Sequence, residues 1–205
     1  AIELDPNFSM AYFNLGNIFQ RHGELQKAEV FIRKAIELDP NFSMAYFNLG
    51  NIRKDLGKTN ESLNSFIKVI EINPEYVYTY NSITELLKYA DPSQFEETKL
   101  KKILNLLLDK NDVNHRELFR AFNFLYKKEL INSLEQSENI FSKIKFITHN
   151  KAIMNAVEKI IFCDPELEKV LESFRRNICY RVAEKTNDIN ENEFEFLIAL
   201  GKQCF

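Results

Sequence analysis

Residues that turn or break a chain are scarce in this sequence: five glycines and five prolines among 205 residues. That scarcity excludes a loop-rich all-β fold and a flexible linker. An excess of positive charge is also lacking. Twenty-seven Lys and Arg stand against thirty Asp and Glu, a formal net charge of −3. No general attraction to phosphate backbones is expected, so a nucleic-acid partner is not. No apolar run reaches the roughly 18 to 20 residues that span a bilayer. The opening Ala1-Ile2-Glu3-Leu4 reads as a helix tail and not as a signal peptide. Three cysteines, Cys163, Cys179 and Cys204, are odd in number and widely spaced, which predicts reduced core thiols in a cytoplasmic protein. Three histidines, His22, His115 and His149, lack metal-ligand spacing with one another or with cysteine. No metal and no cofactor is expected.

What the chain does have is a repeat. Residues 1–18, AIELDPNFSMAYFNLGNI, recur unchanged at 35–52, a spacing of 34 residues. Gly16 and Gly50, Gly23 and Gly57, Lys34 and Lys68, and the series Pro6, Pro40 and Pro74 keep the same period. Four of the five glycines are therefore repeat positions.

Within the unit, Tyr12, Leu15 and Phe19 fall at three- and four-residue steps, one apolar stripe of a helix. Gly16 lets a second helix approach where a side chain would hold it off. Gly23 supplies the positive φ that ends a helix. Pro40 cannot continue a helix, and Asn41 to Ser43 are expected to turn the chain into the next unit. Ala28 and Ala35 keep the second helix thin. The second unit departs at Arg53, in the place of Phe19, and at Ser62, in the place of Ala28, but Leu56, Leu63, Phe66 and Ile70 keep its stripe. A third unit decays: Tyr80, Ile83 and Leu87 persist, whereas Thr84 holds the glycine slot and Ala90 to Gln94 form an insertion. The amphipathic stretch from Glu96 to Lys110 then reads as the second helix of a capping unit.

The period and the run Ala11-Tyr12-Phe13-Asn14-Leu15-Gly16 with Phe19, Gly23, Ala28, Ala35 and Asp39-Pro40 resemble the tetratricopeptide repeat. The resemblance implies an all-α fold, a right-handed superhelix of helical hairpins over residues 1–111 followed by a non-repeat helical region over 112–205. That second region keeps helical periodicity over 114–128, from Ser137 to Thr148 and from Lys151 to Phe162. Asp164-Pro165 is a start signal for a helix reaching about Ala183. Asn187 to Asn192 read as a loop and Glu193 to Phe205 as a last helix.

Ala1 to Leu4 match Ala35 to Leu38, so the chain is expected to be a piece of a longer protein. Residues 112–205, through Asp164-Pro165-Glu166-Leu167-Glu168, Phe174-Arg175-Arg176 and Ala199 to Phe205, resemble a helical linker of bacterial, especially marine cyanobacterial, proteins. There a tetratricopeptide array precedes an S-adenosylmethionine-dependent methyltransferase domain. That resemblance implies a partner-presenting arm whose catalytic domain would lie beyond Phe205. The given residues lack the glycine-rich turn of such a domain, so the chain itself is expected to be non-catalytic and to bind no S-adenosylmethionine.

By resemblance, the first helices of such an array line a concave groove that takes a peptide or partner segment. Met10, Phe13, Asn14, Asn17 and Gln20 would face it from the first unit, and Met44, Phe47, Asn48, Asn51 and Lys54 from the second. Asn14 and Asn48 hold the slot of an asparagine ladder found in the arrays of certain glycosyltransferases. A side-chain amide both donates and accepts, so it can pair with any peptide backbone. Equally, these amides can solvate the groove or bond to a neighbouring helix. Asn17 and Asn48 also match the clamp with which co-chaperones grip an acidic C-terminal tail. Its basic slots, however, hold Phe13, Tyr78 and Ser82, so a neutral or apolar ligand is favoured. Elsewhere, Glu96/Glu97 and Glu193/Glu195 read as helix-start charges, and Lys99, Lys101 and Lys102 as a solvated face balanced by Glu96, Glu97 and Asp109.

Overall fold

A computed structural model describes residues 8–136, 140–160, 162–183, 194 and 196–198. The expected helix tail Ala1 to Leu4, the loop from Asn187 to Asn192, Glu193, Glu195, Gly201 and Cys204 lie outside them, as does the Cys179 side chain. Every element in the described residues is helical, and none of those helices is long and apolar enough to cross a membrane. The contacts divide the chain into two compact units, 1–96 and 97–205. This division falls earlier than the array boundary expected at 111.

Unit 1 holds α1 (Ser9–Arg21), α2 (Leu25–Leu38), α3 (Ser43–Asp55), α4 (Thr59–Ile72) and α5 (Val77–Tyr89). They form consecutive helical hairpins, α1 against α2 and α3 against α4. The helix ends follow the punctuation of the sequence. Gly23 has φ +76° and Gly57 φ +72°. Around each, two backbone bonds close a Schellman motif: Gly23 N to Gln20 O at 3.0 Å with Glu24 N to Phe19 O at 2.9 Å, then Gly57 N to Lys54 O with Lys58 N to Arg53 O. The turn after α2 runs from Asp39 to Phe42, beginning two residues and ending one residue earlier than expected, and Ser43 already opens α3. Asp39 shapes it by accepting from Asn41 N at 3.0 Å, a local turn that an aspartate makes well.

Packing inside the hairpins explains the repeat residues. A Cβ added to Gly16 would lie 2.7 Å from Ile32 Cδ1, and one on Gly50 2.5 Å from Phe66 Cε1. The helices of each hairpin therefore meet at the glycine. On α1 the buried residues are Phe13 and Gly16. The expected stripe of Tyr12, Leu15 and Phe19 is only half-buried, so the true interior line runs one residue round the helix.

The second hairpin's departures are mutually compensating. Phe19 and Phe31 stack with centroids 5.1 Å apart. One repeat on, these two positions hold Arg53 and Ser65, and Arg53 Nη1 donates to Ser65 Oγ at 2.9 Å. Arg53 Nε also pairs with Glu29 Oε1 at 3.0 Å, and Lys58 Nζ with Glu29 Oε2 at 2.7 Å. Burial raises the Glu29 pKa, but the hydrogen bonds and charges of Lys58 and Arg53 outweigh that and leave it below its ordinary value. Ser62, in the alanine slot, is buried and donates to Gly50 O at 2.7 Å, so its hydroxyl costs little there.

Unit 2 contains α6 (Glu97–Asp109), α7 (Phe119–Gln136), α8 (Ile140–His149), α9 (Lys151–Lys159) and α10 (Pro165–Ala183), with a short 3-10 helix, His115–Leu118, leading into α7. Helix α6 packs on α7 and α9, and α10 on α7. Lys159 Nζ donates to Leu108 O at 2.7 Å, satisfying a carbonyl at the end of α6, while Lys151 and Asn155 hold Asp109. The start signal at Asp164-Pro165 is realised. Asp164 Oδ1 accepts from Leu167 N at 3.0 Å and α10 begins at Pro165. Phe196 is buried, its ring 5.3 Å from that of Phe174. Cys163 is a correction to the expected core thiols: it is exposed, in the connection between α9 and α10.

Candidate partner-binding surface

The first helix of each repeat places side chains at four-, three- and three-residue steps along one side. Residues 34 apart therefore form rows across α1, α3 and α5. The outermost row is apolar: Met10 is 41% exposed, Met44 51% and Tyr78 68%. The next comprises Asn14, Asn48 and Ser82. Asn14 is exposed, whereas Asn48 is half-buried and donates from Nδ2 to Asn17 Oδ1 at 2.7 Å. The two asparagines expected to act alike therefore differ among the described residues, because Asn48 of α3 has Asn17 of α1 within reach. Asn17, Asn51 and Glu85 form the third row. In the fourth, Gln20 and Lys54 are half-buried, and Lys54 Nζ meets Glu85 Oε2 at 3.0 Å.

Phe13 departs from its expected place. It is 5% exposed, its ring 4.8 Å from Phe42, and it belongs to the buried cluster of Ala28, Ile32, Ala35, Ala45, Leu49 and Ile52. Phe47 is half-buried, its ring 5.8 Å from Phe66 and 5.2 Å edge-on from Tyr76. Phe13 with Phe42 and Phe47 with Tyr76 are the same pair one repeat apart. An aromatic side chain of this size gains more by burial between hairpins than by facing water. Tyr78 as the third member of the methionine row and Glu85 as the partner of Lys54 were missed from sequence; the 34-residue spacing was the signal that places both in the rows.

The electrostatics of the rows are quiet. The Lys54 charge is opposed by Glu85, Lys88 of the fourth row has its Nζ 5.0 Å from the centre of the Tyr89 ring, and amides, thioethers, the Tyr78 phenol and the Ser82 hydroxyl supply the rest. Of the histidines, His22 and His149 are exposed and His115 half-buried. Burial, helped by the Lys159 charge, holds His115 below its ordinary pKa against the opposing hydrogen bonds of Lys110 and Leu107. No group of three or more His, Cys, Asp or Glu among the described residues could hold a metal ion.

Residues 9–42 match the tetratricopeptide repeat family, and residues 31–64 match a second tetratricopeptide repeat grouping. Tetratricopeptide repeats are thus found over residues 9–64, and every element among the described residues is helical. Neither matched segment extends into residues 112–205, so the methyltransferase-linker resemblance rests on its quoted residues alone. No curated protein matches the chain. Among solved structures it is similar to YrrB, described as a TPR protein with an unusual peptide-binding site. The identity is 20% and the TM-score 0.46, with 100% of this chain and 96% of that one covered.

Proposed function

We propose that unit 1 is a protein-interaction module that takes an extended, neutral or apolar segment of a partner along the rows of α1, α3 and α5. The observation that carries this is the exposed row Met10, Met44 and Tyr78. Three large apolar side chains recur at the repeat spacing, where the fold does not bury them, with amides beside them. Methionines adapt to varied side chains, and the amides of Asn14 and Asn51 supply donors and acceptors for a backbone. Phe13 and Phe47 support the surface from beneath, and Lys54, paired with Glu85, and Lys88 in the same row are too few to form the cluster of cations that grips an acidic tail.

Peptides selected from a random library on the immobilised protein provide the test. Replacing Met10, Met44 and Tyr78 together by alanine should abolish their binding while the far-ultraviolet circular dichroism is kept. Asn14→Ala should weaken binding by about 0.5–1.5 kcal/mol with an unchanged melting midpoint. Asn48→Ala should in addition lower the midpoint, since it leaves Asn17 unpartnered. Undiminished binding by the triple variant would place the ligand elsewhere.

A further inference from the structure

Neighbouring first helices are tied by two lateral hydrogen bonds. Asn48 Nδ2 donates to Asn17 Oδ1 at 2.7 Å between α3 and α1, and Lys54 Nζ to Glu85 Oε2 at 3.0 Å between α3 and α5. Each bond joins residues 31 apart in sequence, whereas members of one row are 34 apart. Each first helix is therefore out of step with the next by three residues, roughly 4.5 Å of axial rise. Helices in contact lie about 8–10 Å apart, and α3 touches both α1 and α5. Consecutive members of a row are thus separated by roughly 9–11 Å. Met44, the middle member of the apolar row, lies between α1 and α5 and is still 51% exposed.

A ligand that touches all three members of the apolar row must repeat its own face at that interval. A β-strand returns to one face every two residues, roughly 6.6 Å, or every four, roughly 13 Å. A polyproline II helix does so every three residues, about 9.3 Å. An α-helix covers about 10.5 Å in seven residues, but its backbone groups are bonded to one another. The exposed amide of Asn14 and the half-buried one of Asn51 would then have no backbone to pair with. A polyproline II backbone has no internal hydrogen bonds and is open to such pairing. Charge narrows the choice further. Glu85 is the one carboxylate in the four rows, and Lys54 already holds it. A basic residue arriving there finds no open counter-charge and meets the like charges of Lys54 and Lys88. We propose that the partner segment is a polyproline II helix, free of basic residues, with an apolar side chain at every third position, one each against Met10, Met44 and Tyr78. It rests on unit 1 being a partner-binding module.

Three fluorescently labelled peptides with equal numbers of leucines separate the periods by fluorescence anisotropy. They are repeats of Leu-Pro-Gln, a Leu-Thr alternation, and an alanine-rich helix with leucine at every seventh position. The Leu-Pro-Gln peptide should bind the full chain at least about ten-fold more tightly than the other two, the effect of one well-buried leucine. Moving its middle leucine by one position should lose about ten-fold in affinity. Lysine in place of its glutamines should weaken binding, more so at low salt. Replacing Met10, Met44 and Tyr78 together by alanine should abolish the preference. Equal or tighter binding by either of the other peptides, or no binding by the first, would overturn the period of three. Peptides selected from the random library then separate the two failures. If they still depend on Met10, Met44 and Tyr78, only the period is wrong; if they do not, the module reading falls with it.

Discussion

Single residues in this fold act through what lies opposite them. Gly16 and Gly50 occupy the same slot, but Gly16 faces the Ile32 side chain and Gly50 the Phe66 ring, three of whose atoms would lie within 2.9 Å of an added Cβ. Alanine gains about 1 kcal/mol over glycine in helix propensity, and overpacking a core costs about 1–3 kcal/mol. A ring moves as a plate and Ile32 is stiff at χ1 in a helix, so the steric cost wins at both positions and more so at Gly50. Gly50→Ala should lower unfolding free energy by about 2 kcal/mol and Gly16→Ala by about 1 kcal/mol, read as falls in the urea midpoint at constant slope. A Gly50→Ala protein as stable as the parent would mean that Phe66 has room to withdraw.

At the scale of elements, helix ends were the most legible part of the sequence, because cap chemistry is local. Gly23, Gly57 and Asp164-Pro165 each marked an end that the structure realises. The 3-10 entry to α7 was not legible, since nothing in 112–118 distinguishes it from the start of an α-helix. The Asp164 cap also predicts a pH dependence. The Lys127 hydrogen bond, the Leu167 amide and Asn123 together outweigh burial and lower its pKa to about 2. An unfolded aspartate titrates near ~3.9. The folded state thus binds the proton less readily, and the stabilisation is complete above that unfolded value and lost as pH falls towards about 2. Asp164→Asn keeps an oxygen for the Leu167 amide but gives up the charge opposite Lys127. The stability gap between parent and Asp164→Asn should be flat from about pH 7 to 5 and close on acidification below about pH 4, measured by urea unfolding. A gap that persisted at about pH 2 would assign Asp164 a role in shape alone.

On the scale of the whole molecule, the repeat was legible because 34-residue identity survives in the sequence, but neighbourhood was not. Asn14 and Asn48 have the same flanking residues, and only three-dimensional adjacency to Asn17 separates their roles. Resemblance to other arrays places Phe13 in the groove, and its burial against Phe42 puts it between hairpins instead. The earlier unit boundary has the same origin: amphipathic periodicity in Glu97–Asp109 shows that α6 buries a face, not which helices it buries it against, and these are α7 and α9. If the chain works as the two compact units that its contacts define, damage should stay within one of them. Gly50→Ala should speed hydrogen exchange across α1 to α5 and leave α7, α9 and α10 as protected as in the parent. Asp164→Ala, which loses a cap of about 1 kcal/mol and a charge pair, should do the reverse. Mass spectrometry of peptic fragments resolves the two. If either substitution raised exchange uniformly along the chain, unfolding would be a single cooperative event, and the division at Glu96 would describe contacts without describing energetics.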